Sequence, residues 1–360
     1  MSGSSALAAP GDVYVADRHA PAVWKLGPAG GEANALAEGA PPFAGSPYGM
    51  TLGPDGLLYV ADEDGKVLTV DRSTGAVGEV ADVNAVNASS NPIDVAFDAR
   101  GRLLLVDYDE DTIYVVNQAT GALTPLFAGD DFGFNALAIR RNGTIFISDE
   151  QQDTVYRLSG GVLTPIIQGD PDLHGPDGIL LSPDERFLYV GSFQEPRFFR
   201  YDVRTGEIRK FEISVNPYSL ALLPSNRLLL SGENDSDLRT VSRLGGPTTP
   251  FSTDPDFATP RDIVVEPRRC AGRFPTVVGT NRRDVIRGSR FADVISTLGG
   301  NDVVRGLRGN DIVCGGRGND RLLGQAGRDR LLGGPGRDRL LGGRGRDRLR
   351  GGPGRDRQKQ

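Results

Sequence analysis

From Val13 to Val265 short apolar runs alternate with turns rich in Pro, Asp and Gly, and the runs fall into ordered types. One type follows a turn that usually carries Pro: GMTL from Gly49, DVAF from Asp94, ALAI from Ala136, GILL from Gly178, SLAL from Ser219 and DIVV from Asp262. A second, more uniformly apolar type comes next: VYVAD ending at Asp17, LYVAD at Asp62, LLLVD at Asp107, IFISD at Asp149, LYVGS at Ser192 and LLLSG at Gly232. Runs of this length bounded by turn residues predict strands. A third strand follows most pairs (VLTVD from Val67, TIYVV from Thr112, TVYRL from Thr154, RFFRYD from Arg197), and a fourth is visible in GEVADV and LTPLFAG. The first strands recur every 41–45 residues, and four strands at that period make one propeller blade. The chain starts on a second strand near Val13 and finishes on a first strand at Asp262. Six blades are therefore expected, with one assembled from both termini so that the ring has no open edge.

Beyond Gly279 the period changes to nine. Asp284, Asp293, Asp302, Asp311, Asp320, Asp329, Asp338, Asp347 and Asp356 mark it, in copies such as GGRGNDRLL from Gly315 and GGPGRDRLL from Gly333. Six residues of turn and three of strand place successive copies on alternate sides of a flattened coil. Asp residues eighteen apart then stack: Asp302, Asp320, Asp338 and Asp356 opposite Asp293, Asp311, Asp329 and Asp347. Ile286, Ile295, Val304, Val313, Leu322, Leu331, Leu340 and Leu349 supply an inward stack one side chain wide. So thin a core does not offset chain entropy alone, and folding is expected to be coupled to metal.

The copies divide into three zones. Arg282 and Phe291 replace the second turn glycine in the first two, which read as a docking cap. The residue after Asp is apolar at Val285, Val294, Val303 and Ile312, predicting a covered face. It is Arg from Arg321 onward, predicting a solvated one. Arg flanks Asp on both sides from Arg328, where Arg–Asp pairs would compete with an ion, so the metal reading is strongest from Asp302 to Asp338. Gln358 at the aliphatic position predicts a frayed last copy.

Charge sharpens this division. From Arg273 onward 19 Arg and Lys359 face nine Asp, a net +11, while the remaining 21 basic and 38 acidic residues give −17. A cationic end of this kind suits a polyanion such as cell-surface glycan or nucleic acid. The 49 Gly fit turn-rich β-structure. No apolar run approaches the roughly 18 residues of a membrane span.

The motif G-G-x-G-x-D-x-U-x, with U aliphatic, resembles the calcium-binding RTX repeats. That resemblance implies a parallel β-roll and calcium as the bound ion. Asp293, Asp302, Asp311, Asp320, Asp329, Asp338 and Asp347 become ligands, helped by carbonyls that glycine turns aim inward. It also implies an extracellular protein whose roll folds after export. GPDGILLSPDERFLYVGS and PYGMTLGPDGLLYVADEDGKV resemble NHL-type and regucalcin/gluconolactonase-like propellers. There the residue after the turn Pro stands at the channel mouth, here Tyr48, Ile93, Asn135, Asp177, Tyr218 and Arg261, with Asp94 and Asp262 beside them. In gluconolactonase-like enzymes this ring supplies Glu, Asn and Asp to a divalent metal. Asn135 and Asp177 match two of these, but Arg261 stands where an acid is expected, and a guanidinium repels metal. The leading expectation is thus a non-enzymatic, monomeric calcium-binding protein whose propeller binds a glycan, protein or other ligand. The alternatives are a metal-dependent lactonase-like hydrolase and an adhesion module with a polyanion-binding tail. His19 and His174 are the only histidines, and no G-x-S-x-G elbow is present.

The regions expected are a leader (1–11), a six-bladed propeller (12–267), a linker (268–278) and a β-roll (279–360). Ala6-Leu7-Ala8 is an A-x-A-like cleavage site, so the leader reads as a signal-peptide remnant or as a short disordered segment. Cys270 and Cys314 are the two cysteines. A disulfide between them, which needs an oxidising compartment, is favoured over two free thiols in the cytosol.

Overall fold

The computed structural model describes residues 11–38, 43, 45–86, 90–232 and 237–360; residues 1–10 of the expected leader lie outside these. Residues 13–265 build six four-stranded antiparallel sheets. The strand Pro260–Val265 pairs with Val13–Asp17, in the register Val13↔Val265 and Val15↔Ile263. Sequence phase and structure agree here: both ends of the chain complete one blade.

The innermost strands are Pro47–Leu52, Pro92–Phe97, Phe134–Ile139, Pro176–Leu181, Pro217–Leu222 and Pro260–Val265. Five begin on Pro, tolerated at a first strand position because no ladder amide is required there. They start two residues before the apolar alternation does, and the register with the second strand slips just after that residue, as between Pro47 and Met50 or Pro176 and Ile179. These slips fall at the residue after the first, the position held by Tyr48, Asp177 and their counterparts. Neighbouring inner strands also approach closely: a Cβ on Gly49 or Gly178 would strike the backbone of the next blade.

The second strands are buried throughout, and their closing Asp or Ser acts as a staple. Asp17 accepts from the amides of Ala20, Ala258 and Thr259. Asp149 accepts from Gly133, Gln151 and Gln152. Each carboxylate thus fixes its own turn and the segment entering the adjacent inner strand. Apolar clusters fill the space between blades. Trp24 belongs to one of them, edge-on to Phe257, so its role is packing.

Where the chain leaves the ring, Glu266 is buried against Arg72 and accepts from Tyr14 Oη at 2.9 Å. Arg72 also donates from Nε to the Gly56 carbonyl and lies over Phe274. Removing one partner of a buried pair strands the other charge, at about 3–5 kcal/mol. Glu266→Ala should therefore lower the thermal midpoint of calcium-free protein markedly; an unchanged midpoint would mean that the closing blade does not depend on this pair.

The remaining chain forms two five-stranded parallel sheets whose strands alternate between them. Pairing is offset by eighteen residues, as in Val304↔Leu322 and Val313↔Leu331. The aliphatic stack from Ile286 to Leu340 is fully buried, with Leu349 partly so and Val277 added at the start. The fraying expected at Gln358 is absent: Arg357–Lys359 pairs in register with Arg339–Leu341, because backbone pairing with one neighbour holds the strand without an aliphatic residue. The covered early face is also only partly realised, since Val285 is 44% exposed.

The roll meets the propeller through its turns, on loops of one propeller face. Asn281 donates its amide to the Pro224 carbonyl, Arg100 lies over Phe291, Phe274 packs on Gly56, and Arg141 feels the charges of Glu185 and Asp293. These loops all join inner to second strands. The first turns of the roll therefore sit on the face opposite the channel mouth. A disulfide joins Cys270 to Cys314 with Cα atoms 5.7 Å apart.

Candidate functional site

The roll organises its carboxylates into two files. The amide of each Asp donates to Oδ1 of the Asp eighteen residues on: Asp284 to Asp302, Asp302 to Asp320, Asp320 to Asp338, and on the other side Asp293 to Asp311, Asp311 to Asp329, Asp329 to Asp347, all at 2.8–2.9 Å. That bond leaves the second oxygen over. Oδ2 of Asp302, Asp311, Asp320, Asp329, Asp338 and Asp347 is buried without a hydrogen-bond partner. Six buried, orphaned carboxylate oxygens in a row are costly unless something positive meets them.

The two capping residues differ. Oδ2 of Asp284 accepts from the Thr280 amide and Oδ2 of Asp293 from the Ser289 amide. The spacing groups Asp293 with the metal set, but its Oδ2 is engaged like that of the capping Asp284. The difference lies four residues before the Asp, at the second residue of the repeat. Thr280 and Ser289 stand there in the cap, whereas from Leu298 onward this position has positive φ (Leu298, Leu307, Gly316, Gln325, Gly334).

The first glycine of each later turn makes the room. A Cβ on Gly306, Gly315, Gly324, Gly333 or Gly342 would run into Oδ2 of Asp311, Asp320, Asp329, Asp338 or Asp347 respectively. Five of the six orphaned oxygens therefore face a glycine backbone; Thr297 stands at the equivalent position before Asp302. Among the described residues no three His, Cys, Asp or Glu side chains cluster with metal-binding geometry. Carbonyls of these glycine turns would have to complete the six to eight oxygens that calcium takes. The donor set fits such a hard cation: carboxylate and carbonyl oxygen only.

Burial is the main cause of a raised pKa in this row, pushing Asp302 up to about 6 and Asp311 and Asp320 up to about 7, and raising Asp329 and Asp338 as well. Flanking arginines do not counter it. Among the described residues, no carboxylate ion pair involves an arginine between Arg305 and Arg357. The expected competition from Arg–Asp pairs is absent, because the Arg side chains point out and the Asp side chains point in. A carboxylate whose folded pKa is raised favours folding as pH falls through that value, so the metal-free roll gains stability below about pH 7. Calcium needs the ionised form and runs the other way. Calcium titrations at pH 8 should therefore show a lower midpoint than at pH 6, with protons released on binding at the lower pH; equal midpoints would contradict this assignment.

At the channel mouth the structure brings Tyr48, Asn135, Asp177, Tyr218 and Arg261 together. The Arg261 guanidinium stacks between the rings of Tyr48 and Tyr218, 4.0 and 3.9 Å from their centroids. Its Nη1 is 3.5 Å from Asp177 Oδ2. Burial, together with Arg18 nearby, lowers Arg261 to about 9, and burial raises Asp177 well above the carboxylate range. Asn135 donates to Glu150 at 2.9 Å, and Glu150 also accepts from Tyr108. Asp94 and Asp262 are engaged in the scaffold. Asp94 accepts from the Val95 and Leu137 amides; Asp262 accepts from Met50, Ile263 and the Ser219 hydroxyl. Both tie one inner strand to the next. Ile93 is buried in the apolar core. Sequence reasoning missed Glu150, whose sole sequence signal is that it follows the stapling Asp149.

Residues 278–313, 315–340 and 332–357 match the RTX calcium-binding nonapeptide repeat family, so this region carries RTX repeats. Among curated proteins no sequence matches. The propeller resembles solved structures at 14% identity, a level that shows the fold alone. Virginiamycin B lyase from Staphylococcus aureus matches with a TM-score of 0.52, covering 73% of this chain and 83% of the lyase. A catalytically inactive form of that lyase with quinupristin gives 0.55, with coverages of 74% and 94%. A nidogen/laminin complex gives 0.60, with coverages of 72% and 99%.

Proposed function

We propose that this is a secreted calcium-binding protein whose C-terminal roll folds on calcium and whose propeller is a non-enzymatic scaffold for a glycan or protein partner. The extents are those read from the sequence: leader 1–11, propeller 12–267, linker 268–278 and roll 279–360. One observation carries the reading: the row of buried, unpartnered Oδ2 atoms from Asp302 to Asp347, those from Asp311 onward each facing a glycine. Those six Asp would hold the ions, with turn carbonyls as the other ligands, and calcium would supply the charge that lets the carboxylates stay ionised inside. The RTX match supports the ion, and the disulfide suits an oxidising, extracellular setting. For the propeller, support comes from Arg261. Its side chain fills the space between Tyr48 and Tyr218 beside Asp177, where a metal-binding ring would need an acid.

The test is a calcium titration of the full chain followed by circular dichroism and hydrodynamic radius. Gain of β-sheet signal and contraction to a saturating value are expected. A chain that ignores calcium in both readouts would sink the proposal.

Glu150 favours a second reading. With Asn135 and Asp177 it restores a Glu, Asn and Asp set at the mouth, as a metal-dependent lactonase-like hydrolase would have. That reading requires lactone hydrolysis dependent on a divalent metal, lost in Asn135→Ala and Asp177→Ala and retained when the roll is deleted.

A further inference from the structure

We propose that the outer faces of the roll, once assembled by calcium, form an arginine lattice that docks a linear sulfated polysaccharide; this rests on the calcium reading above. Parallel in-register pairing puts like residues in columns. Arg321, Arg339 and Arg357 are paired partners on one sheet, and Arg330 and Arg348 on the other. Adjacent strands lie about 4.8 Å apart, so the guanidinium groups recur at that interval along the roll. All five are exposed, and none is paired with a carboxylate among the described residues.

Like charges directly opposite one another in a sheet are destabilising, and the fold does not require them. Val303 and Ile312 occupy the equivalent positions one rung earlier. The balancing anions are not supplied from within: residues 315–360 hold 12 Arg and Lys359 against five Asp. Four of those Asp, Asp320, Asp329, Asp338 and Asp347, are buried and, on the reading above, take up calcium. What remains outside is a rigid, regularly spaced, unpaired cationic surface.

The partner's chemistry follows from that surface. The planar guanidinium fork matches oxyanions in two-point contacts, and the short, constant interval suits a polymer with anions at sugar-ring spacing. Residues 315–360 contain no aromatic side chain, so there is no platform for stacking single-stranded bases. A polymer whose anions are all carboxylates would compete for the calcium that holds the roll together, whereas sulfate esters are poorer calcium ligands. Calcium and polysaccharide should then bind with positive coupling, each favouring the folded roll.

The test uses the full chain and a heparin oligosaccharide as probe, with binding followed by calorimetry at fixed ionic strength. Affinity in calcium should exceed that in chelator by at least about tenfold. The triple variant Arg321→Gln/Arg339→Gln/Arg357→Gln should lose on the order of tenfold in affinity while it folds at no more calcium than the native chain. The corresponding triple Lys variant, which keeps charge without the fork, should fall between. Three outcomes would overturn the lattice: wild-type affinity in the Gln variant, equal heparin affinity in chelator, or a DNA duplex bound as tightly as heparin. A normal calcium midpoint without heparin binding removes this proposal alone, whereas a missing calcium response removes the calcium reading as well.

Discussion

Alanine at Gly318 should sever the roll. Gly318 has φ +124°, a region open essentially to glycine, and a Cβ there would collide with the Gly300 carbonyl eighteen residues earlier. The backbone strain alone is about 1–3 kcal/mol, and the collision adds to it. Relief requires the turn to move off its neighbour. A solenoid transmits order only between adjacent repeats, so the loss does not spread evenly. The Asp302 amide loses its place on Asp320 Oδ1, and the file of aliphatic side chains parts between Val313 and Leu322. Fewer calcium ions should bind per chain, and trypsin should cut the arginine-rich segment after Arg317 in saturating calcium, where the native roll resists. Arg317→Ala, one residue before at an exposed position, should keep native stoichiometry. Full stoichiometry in Gly318→Ala would show that the close glycine stacking is dispensable.

Loss of the disulfide should have the other large effect. Cys270 sits in a tight hairpin, exchanging both backbone bonds with Arg273 across Ala271 and Gly272 at positive φ. Cys314 ends the strand Ile312–Cys314. The bond therefore clamps a strand inside the roll to the exit of the propeller. Closing a span of 44 residues contributes about 4 kcal/mol in the chain-entropy model. That is roughly a thousandfold in the folding equilibrium of the roll. Cys270→Ser/Cys314→Ser should need several-fold more calcium to fold, and reductant should do the same to the native chain. An unshifted calcium midpoint would mean that the roll's docking contacts hold without the covalent clamp.

Much of this was legible in the sequence because it is periodic. The phase offset between first and second strands was enough to infer a blade shared by both termini, and the nine-residue spacing of Asp gave the two files. What stayed hidden depends on contacts that have no period. The inner strands begin at Pro, ahead of the alternation, because a local slip follows it. Asp293 looks like its successors until the Ser289 amide is seen on its carboxylate. Asp94 and Asp262 read as mouth residues, yet their oxygens are taken by amides of adjoining inner strands. Glu150 belongs to a turn, and the hairpin that pairs Phe134 with Asp149 within one blade brings it to Asn135. The early apolar residues after Asp do signal contact with the propeller, but the contact is made by turn residues such as Phe291 and Asn281, and Val285 remains open.

The seating of the roll on the face away from the mouth has a consequence for how the molecule would approach a charged layer. An acidic ring with a basic roll seated on one face separates charge between the two parts of the folded chain. Near an anionic matrix it would turn before touching and land on the roll. The mouth would then face outward, clear of the layer, and the ring would stand as a raised cup open to the surrounding fluid.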